Sequence, residues 1–234
     1  MLLLSTDTSG RQGSIALASG EVTGACQIIE VAPLPGGNFS AQLVPQIAAL
    51  LARHGFNKTD LGAFAVASGP GSFTGLRVGL SAIKALAEIL EKPVATVSLL
   101  EAIAVGAGLQ GKILAILDAG RGDLYAGEYE VTGESAQAVT ETLARKENVL
   151  VKMRESEPQT SAVRKSTLAT PDQSLDEAAR SAGLPVVLVE AVDAGAIARL
   201  GWRKIQAGRT VSPEQLEANY IRRTDAEIFA KVSC

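Results

Sequence analysis

The segment between the fourth predicted strand and the second predicted helix reads Ser68-Gly69-Pro70-Gly71-Ser72-Phe73-Thr74-Gly75-Leu76-Arg77. A buried-strand pattern precedes it at 63–67 and a helical pattern follows it at 74–91. The free N–H groups at the start of that helix would face any anion held by the loop. The segment is not a P-loop, because Leu76-Arg77 replaces the required Lys and Ser/Thr, and Ser72 lacks the frame of a nucleophile elbow. The alternative interpretation is a rigid loop whose glycines let helix and strand approach closely.

The elements around this segment predict a repeated half-unit. The expected elements are strands at 2–6, 14–18 and 24–31, a helix at 40–53 and a strand at 93–97. Pro45 predicts a kink or a late start in the first helix. Three strands joined by tight turns form an antiparallel meander. The order strand-strand-strand-helix-strand-helix is that of half of an actin, Hsp70 or sugar-kinase domain, in which a second such half often follows.

A second half begins after residue 98. Its expected elements are strands at 113–118, 123–130 and 185–189, a helix at 194–207 capped by Asp193, and a short last helix starting at Ser212-Pro213-Glu214-Gln215. The polar stretch 152–177 has the composition of a surface excursion rather than of a core element. We therefore expect domains at 1–98 and 99–211, and a segment at 212–234 that packs back on the first domain.

Composition excludes several classes of function. The 234 residues carry a net charge of −3, whereas autonomous nucleic-acid binders have a basic excess. The single histidine, His54, is expected at a helix end, and the cysteines Cys26 and Cys234 are expected as free thiols, so no metal-ligand pair and no catalytic residue is predicted. No apolar run is long enough to span a bilayer, which predicts a cytoplasmic protein without a membrane segment.

Two turns are candidates for holding a phosphate. Asp7-Thr8-Ser9 follows the first strand, as the first phosphate turn of an actin-like fold does, although Asx and Ser/Thr turns explain the same residues. Asp118-Ala119-Gly120-Arg121-Gly122 is either the matching turn or a hairpin with positive φ at its glycines. The region 190–195 lacks the Gly-Gly turn of an adenosine pocket, so only weak ATP or ADP binding is expected. The weak nucleotide or anion candidates are Asp7, Thr8, Ser9, Gly71, Ser72 and Thr74.

The predicted helix 74–91 is apolar on two faces. Leu76, Leu80 and Ile83 lie on one face, whereas Val78 and Ala82 lie on nearly the opposite face. A helix that covers one sheet needs a single apolar stripe, so the second stripe contacts either the first helix of the same chain or a second subunit. The residues assigned to a partner interface are Leu43, Ile47, Val78, Ala82, Ala85 and Ile89.

Four segments together resemble the TsaB (YeaZ) family. They are Leu4-Ser5-Thr6-Asp7-Thr8-Ser9, the glycine-rich segment from Ser68 to Gly79, Leu117-Asp118-Ala119-Gly120-Arg121-Gly122-Asp123-Leu124-Tyr125, and Asn219-Tyr220-Ile221-Arg222. The resemblance implies an α/β actin-like (ASKHA, ribonuclease H-like) two-lobed fold with mixed sheets. The chain departs from the family at 36–40, where relatives have a Glu/Arg-rich stretch with His, and at Gly120, where relatives tend to have Arg.

The resemblance also implies a role in threonylcarbamoyladenosine modification of tRNA next to the anticodon. TsaB-like proteins bind the catalytic TsaD subunit through their N-terminal lobe, act with the ATPase TsaE, and can form a homodimer through the same surface. Contact with tRNA is then expected only through the complex. An ATP-dependent transferase or kinase that acts alone, using Asp7 and Asp118, is the alternative. A peptidase, an old label for the wider family, lacks both a metal pair and a nucleophile-base pair.

Overall fold

The computed structural model describes residues 1–21, 24–155 and 166–221. The chain divides into two compact units. The first unit contains Met1–Ala102 and Glu190–Ala218, and the second contains Ile103–Val189 and, within the described residues, 219–221. This division differs from the predicted boundaries at 98/99 and 211/212, because the helix after Asp193 belongs to the first unit. Cys234 and Arg222 lie outside the described residues.

The described part of the chain contains ten strands and six α-helices. The strands are β1 (Leu2–Asp7), β2 (Gly13–Ser19), β3 (Gln27–Leu34), β4 (Leu61–Gly69), β5 (Val94–Ser98), β6 (Gly111–Gly120), β7 (Asp123–Thr132), β8 (Ser135–Arg145), β9 (Thr167–Thr170) and β10 (Val186–Leu188). The helices are α1 (Phe39–Arg53), α2 (Phe73–Leu90), α3 (Leu99–Gly106), α4 (Lys146–Glu155), α5 (Gln173–Ser181) and α6 (Ala194–Gln206). None of these helices is both long and apolar enough to cross a membrane.

The first unit is built on a mixed sheet of five strands in the order β3-β2-β1-β4-β5. β1, β2 and β3 form the predicted antiparallel meander, and β4 and β5 are parallel to β1. Side chains alternate between the two faces of a strand. Leu2 and Leu4 of β1 therefore pack into the core shared with α1 and α2, while Ser5 faces α6.

Helix α6 is fixed on the sheet by polar contacts at its first residue. Asp193 caps it by accepting a hydrogen bond from Ala196 N at 2.9 Å. Ser5 Oγ donates to the carbonyl oxygen of Ala194 at 2.6 Å, and Ser14 Oγ accepts from Ala194 N at 2.8 Å. These contacts satisfy groups that would otherwise be buried without partners. The Asp193 cap predicted from the sequence is confirmed, and α6 is a structural part of the first unit.

The second unit repeats the sheet of the first. Its order, β8-β7-β6-β9-β10, reproduces β3-β2-β1-β4-β5, with an antiparallel meander followed by two parallel strands. Helices α4 and α5 contribute Val149, Leu175 and Ala179 to a core that also contains Leu114 and Leu168. The two mixed sheets confirm the α/β, actin-like fold class and its repeated half-unit.

Several predicted elements need correction. β3 begins and ends three residues later than expected, and α1 begins at Phe39, so Pro45 lies inside the helix instead of delaying its start. The last helix is only a 3-10 turn, Pro213–Gln215. The expectation that 152–177 holds no core element was wrong for β9, because Leu168 and Ala169 are fully buried.

Candidate functional site

The turn after β1 is closed by its own side chains. Asp7 is buried, and its Oδ1 accepts hydrogen bonds from Ser9 N at 2.9 Å and from Ser9 Oγ at 2.5 Å. This is an Asx turn, in which the side-chain oxygen accepts a hydrogen bond from the backbone N–H two residues further on. Burial raises the pKa of Asp7, against the opposing effect of the Ser9 hydrogen bonds, and the negative charge of Asp193 adds to the rise. Burial in this turn therefore favours the protonated form of the Asp7 carboxyl group more than water does.

The glycine-rich loop packs directly against this turn. Ser72 N donates to Ser9 O at 2.7 Å, and Thr8 Oγ1 donates to Gly75 O at 2.7 Å. A Cβ at Gly71 would lie 2.6 Å from Ser9 O, and a Cβ at Gly75 would overlap Thr8 O. The glycines are thus required for close approach, and the rigid-loop interpretation accounts for these contacts.

The structure brings four of the six nucleotide or anion candidates into contact with each other, and Thr8 contacts the neighbouring Gly75. Asp7 bonds to Ser9, Thr8 bonds to Gly75, and Ser9 bonds to Ser72 and lies against the position of Gly71. Ser72 Oγ, in turn, accepts from Gly75 N at 3.3 Å as the N-cap of α2. Ser72 and Thr74 are exposed, and Thr74 lines two surface pockets near the start of α2. Most polar atoms of these candidate residues form hydrogen bonds that hold the loop against the turn.

The second unit contains a turn with the same side-chain to backbone hydrogen bond as the Asp7 turn. Asp118 Oδ1 accepts from Gly120 N at 3.0 Å, which repeats the bond between Asp7 and Ser9 N. Arg121 and Gly122 form the two-residue loop of the β6–β7 hairpin, and Gly120, Arg121 and Gly122 have φ of 73°, 59° and 80°. Positive φ at both loop residues is the geometry of a type I′ hairpin. The hairpin interpretation of this motif is confirmed.

His54 lies at the end of α1, as predicted. It is the C-cap residue, and its Nε2 lies 2.7 Å from Glu30 Oε2, while Arg53 binds the other carboxylate oxygen at 2.6 Å. The two neighbours lower the pKa of Glu30. Within 1–21, 24–155 and 166–221, no three His, Cys, Asp or Glu side chains are grouped closely enough to hold a metal ion.

The second stripe of α2 is exposed. Val78 and Ala82 are half-buried, Ala85 is exposed, and Ile89 is 72% exposed. The opposite stripe, which includes Leu76, Leu80 and Ile83, is buried in the core. Within the first unit, α1 therefore covers the second stripe only in part.

Two residues assigned to the interface are almost fully buried, although Leu43 also lines a groove between α1 and α2. Leu43 and Ile47 are only 1% and 4% exposed, because they pack into the core of the first unit. On α1 and α2, the large exposed apolar side chains that the sequence analysis missed are Val44, at 55%, and Phe73, at 38%. Val44 is next to Leu43, which the helical pattern selected, and both sides of α1 are apolar, so periodicity alone could not separate the two. Phe73 lies one residue before the predicted start of the second helix.

A groove runs between α1 and α2. It has a volume of about 470 Å³, and Val44, Phe73, Val78 and Ala82 line it. Arg77 also lines the groove, and its guanidinium carbon lies 3.9 Å from the centroid of the Phe73 ring. Leu43, Ser40, Thr74 and Ser81 complete the lining, so the groove combines apolar residues with three short polar side chains and the cation of Arg77. Aromatic residues and Arg are enriched at protein-docking surfaces.

Comparisons with known proteins define the class. The sequence model of the family described as "TsaD: tRNA N6-adenosine threonylcarbamoyltransferase" matches residues 35–197, well over half of the chain. The chain belongs to this family.

Within the family it groups with the TsaB (YeaZ) proteins. It is 29% identical over 231 residues to "tRNA threonylcarbamoyladenosine biosynthesis protein TsaB" of Escherichia coli (strain K12), covering 97% of this chain and 96% of that protein. It is 37% identical over 131 residues to the protein of the same name from Bacillus subtilis (strain 168), a match that spans 56% of each chain. The solved structure "YeaZ from Pseudomonas aeruginosa" has a TM-score of 0.69 at 23% identity, covers 93% of this chain and 100% of its own, and shares the fold.

Proposed function

We propose that this chain is a non-catalytic accessory subunit that binds and supports a TsaD-type transferase in threonylcarbamoyladenosine modification of tRNA next to the anticodon. The names of the relatives support the pathway, because both matched TsaB proteins are described as biosynthesis proteins for this modified nucleoside. A TsaD-like subunit is accordingly the proposed partner.

The groove between α1 and α2 is the observation that carries the proposal. Exposed Val44 and Phe73 line the groove together with half-buried Val78 and Ala82, so a neighbouring helix would bury apolar area there. Exposed Ile89 lies further along α2. Burial of apolar area contributes about 25 cal/mol per Å² to association before the entropic costs of binding. Exposed Ala85, on the same stripe, lets a partner backbone approach closely.

The chemistry of the chain supports an accessory role. A His-x-x-x-His metal pair of the TsaD type needs two histidines, and the sequence has one. The buried carboxyl group of Asp7 accepts a hydrogen bond within its own turn, and Ser72 caps helix α2. The catalytic groups of the complex would therefore come from the partner.

Further partners follow from the same proposal. A TsaE-like ATPase would act on the assembled complex, and tRNA would be held through the complex, since the chain has a net charge of −3. A homodimer through the α1–α2 face would compete with the TsaD-like partner for the same residues. The proposed location is the cytoplasm, where tRNA is modified.

The decisive experiment changes Ala85 to Glu. A carboxylate placed in an apolar interface remains without a partner, which costs about 3 kcal/mol and weakens binding more than a hundredfold. The test captures the TsaD-like protein of the same cell on the tagged chain and measures its affinity for the wild-type chain and for the variant. Val139→Glu, an equally apolar exposed site on β8, is the matched control. Equal binding by Ala85→Glu and the control would contradict the proposal.

An ATP-dependent transferase or kinase acting alone is the alternative. The similar turns of Asp7 and Asp118 favour this alternative, because they lie at equivalent strand ends of the two repeated sheets. The isolated chain would then hydrolyse or transfer phosphate from MgATP, and Asp7→Asn would abolish turnover. Turnover by the isolated chain that disappears in Asp7→Asn would replace the accessory role.

A further inference from the structure

A second pocket adjoins the groove between α1 and α2. It has a volume of about 460 Å³, and its lining includes Arg11 and the turn Gly36-Gly37. The pocket and the groove share three lining residues, Ser40, Thr74 and Val78. The two therefore form one continuous surface of the first unit, here called the extended groove.

The extended groove is basic, although the protein is acidic. Arg77 lines the groove and Arg11 lines the pocket, whereas neither lining contains Asp or Glu. Apart from Gly10 and Arg11, the lining comes from the stretch 31–87, which has four Lys or Arg residues and one acidic residue, Asp60. The whole chain, by contrast, has a net charge of −3. A surface whose charge is opposite to that of its own protein favours a partner surface of complementary charge.

The backbone at Arg11 is fixed, while its side chain faces solvent. A Cβ at Gly36 would overlap the carbonyl oxygen of Arg11, so the two backbone segments are in direct contact. Arg11 is exposed, and within the described ranges its guanidinium has neither a hydrogen bond nor an ion pair. A guanidinium presents paired N–H donors that match the two oxygens of a carboxylate. Arg11 can therefore bind a carboxylate of a partner without losing a contact within the chain.

Two other occupants fit the extended groove less well. In a two-fold contact with a second copy, the basic stretch of one chain would face the basic stretch of the other, and like charges across an interface weaken association. An RNA backbone would match the two arginines. Exposed Val44 and Phe73, however, place apolar side chains in the same groove, and aromatic residues are enriched at protein interfaces. The combination favours an acidic protein segment.

We propose that the extended groove receives a segment of the TsaD-like partner that is apolar at one end and acidic at the other, where the identity of the partner rests on the proposed function. Apolar side chains of the segment lie in the groove against Val44 and Phe73. An Asp or Glu of the segment lies in the pocket and binds Arg11. Arg11 thereby selects an acidic partner, because a basic side chain in the pocket would be repelled by the guanidinium.

Arg11→Glu tests the charge of the segment. The variant reverses the charge in the pocket and leaves the backbone contact with Gly36 in place. The affinity of the full chain for the purified TsaD-like protein of the same cell measures the result. We expect a loss of roughly tenfold or more, because like charges would then face each other. The loss should shrink between about 50 and 300 mM NaCl, since salt screens exposed charges.

Two further variants show whether the position and the shape of the charge matter. Arg11→Lys keeps the charge but loses the paired donors, so its affinity should lie between those of the wild-type chain and Arg11→Glu. Arg209→Glu is the matched control, because Arg209 is an exposed arginine outside the extended groove and the change in net charge is the same. Unchanged affinity of Arg11→Glu, or an equal loss in Arg209→Glu, would overturn the proposal. The accessory role would still stand if Ala85→Glu weakened binding in the same assay.

A reversed charge on the partner should restore binding. Surface Asp and Glu residues of the TsaD-like protein are changed to Arg one at a time, and one of these variants should bind Arg11→Glu more tightly than it binds the wild-type chain. If Arg11→Glu altered only the mass of the isolated chain or its affinity for tRNA, the occupant would be a second copy or RNA, and the proposal would be wrong. Absence of binding by the wild-type chain would overturn the proposed function and this proposal with it.

Discussion

Thr8 Oγ1 donates a hydrogen bond of 2.7 Å to the carbonyl oxygen of Gly75, which ties the turn after β1 to the first turn of α2. The backbone of the two segments is equally close, because Ser72 N bonds to Ser9 O at 2.7 Å. In a nucleotide-binding member of this fold class, a phosphate would need the same turn. Here the loop uses much of the turn's hydrogen-bonding capacity. The orientation of α2, which carries the proposed partner-binding residues, depends on this contact.

Gly75→Ala should destabilise the protein. A Cβ at position 75 overlaps the carbonyl oxygen of Thr8, a backbone atom that cannot move away alone. Overpacking of this kind costs about 1–3 kcal/mol, whereas Ala for Gly inside a helix would otherwise gain up to about 1 kcal/mol. Urea denaturation measures the net loss. Gly106→Ala is the control, because its Cβ would lie at an ordinary 4.0 Å from Val189. If the two variants were equally stable, the close contact between position 75 and the carbonyl oxygen of Thr8 would be contradicted.

Asp7→Asn should preserve or increase stability at neutral pH. Burial raises the pKa of Asp7, so the folded protein binds this proton more tightly than the unfolded chain does. The favourable contribution of Asp7 is therefore present below its unfolded pKa of about 3.9 and is lost as pH rises through the higher folded value. The amide oxygen of Asn can accept the same bonds from Ser9. Thermal unfolding between pH 3 and 8 should show that the stability of the variant relative to wild type increases with pH. If that relative stability were lower at pH 7 than at pH 3, the predicted direction would be wrong.

Local signals explain which elements the sequence predicted. The strands of the first meander are short apolar runs between turn residues, and α6 follows an Asp that caps it. The missed strands lack such signals. β8 is an edge strand with mostly exposed side chains, so it has no apolar alternation, and β9 has only four residues. The burial of β9 depends on its pairing with β6, and the paired residues are far apart in the sequence.

The candidate sites were predictable to different degrees. Contact between the Asp7 turn and the Ser72 loop follows from strand order, because parallel β1 and β4 end at the same edge of the sheet. The exposed stripe of α2 followed from helical periodicity. The division of α1 between core and groove did not, because Leu43 and Val44 are both apolar and only tertiary packing decides which is covered. The contact between Arg11 and Gly36 has no local signal at all.

Glu30 should make stability depend on acid pH. Arg53 and then His54 lower the pKa of Glu30 through hydrogen bonds, so folding favours its carboxylate. The contribution is present above the unfolded pKa of about 4.3 and is lost as pH falls through the lower folded value. Glu30→Gln should remove this part of the pH dependence, which denaturation midpoints between pH 2.5 and 7 would measure, with Glu130→Gln as a control. An identical pH profile for Glu30→Gln and wild type would show that the pair is not formed in solution.

Thr6 and Thr8 should respond in opposite directions to the same substitution. Both lie at the end of β1 toward α2, but Thr8 Oγ1 bonds to Gly75 O, whereas the buried Thr6 Oγ1 has no partner among the described residues. Valine has nearly the shape of threonine without the hydroxyl. Thr6→Val removes an unsatisfied buried group and should raise the free energy of unfolding by about 1 kcal/mol. Thr8→Val removes a made hydrogen bond and should lower it by a similar amount. Denaturant titration of the two variants measures the difference directly, and a loss of stability in Thr6→Val would mean that its hydroxyl is satisfied by a bound water.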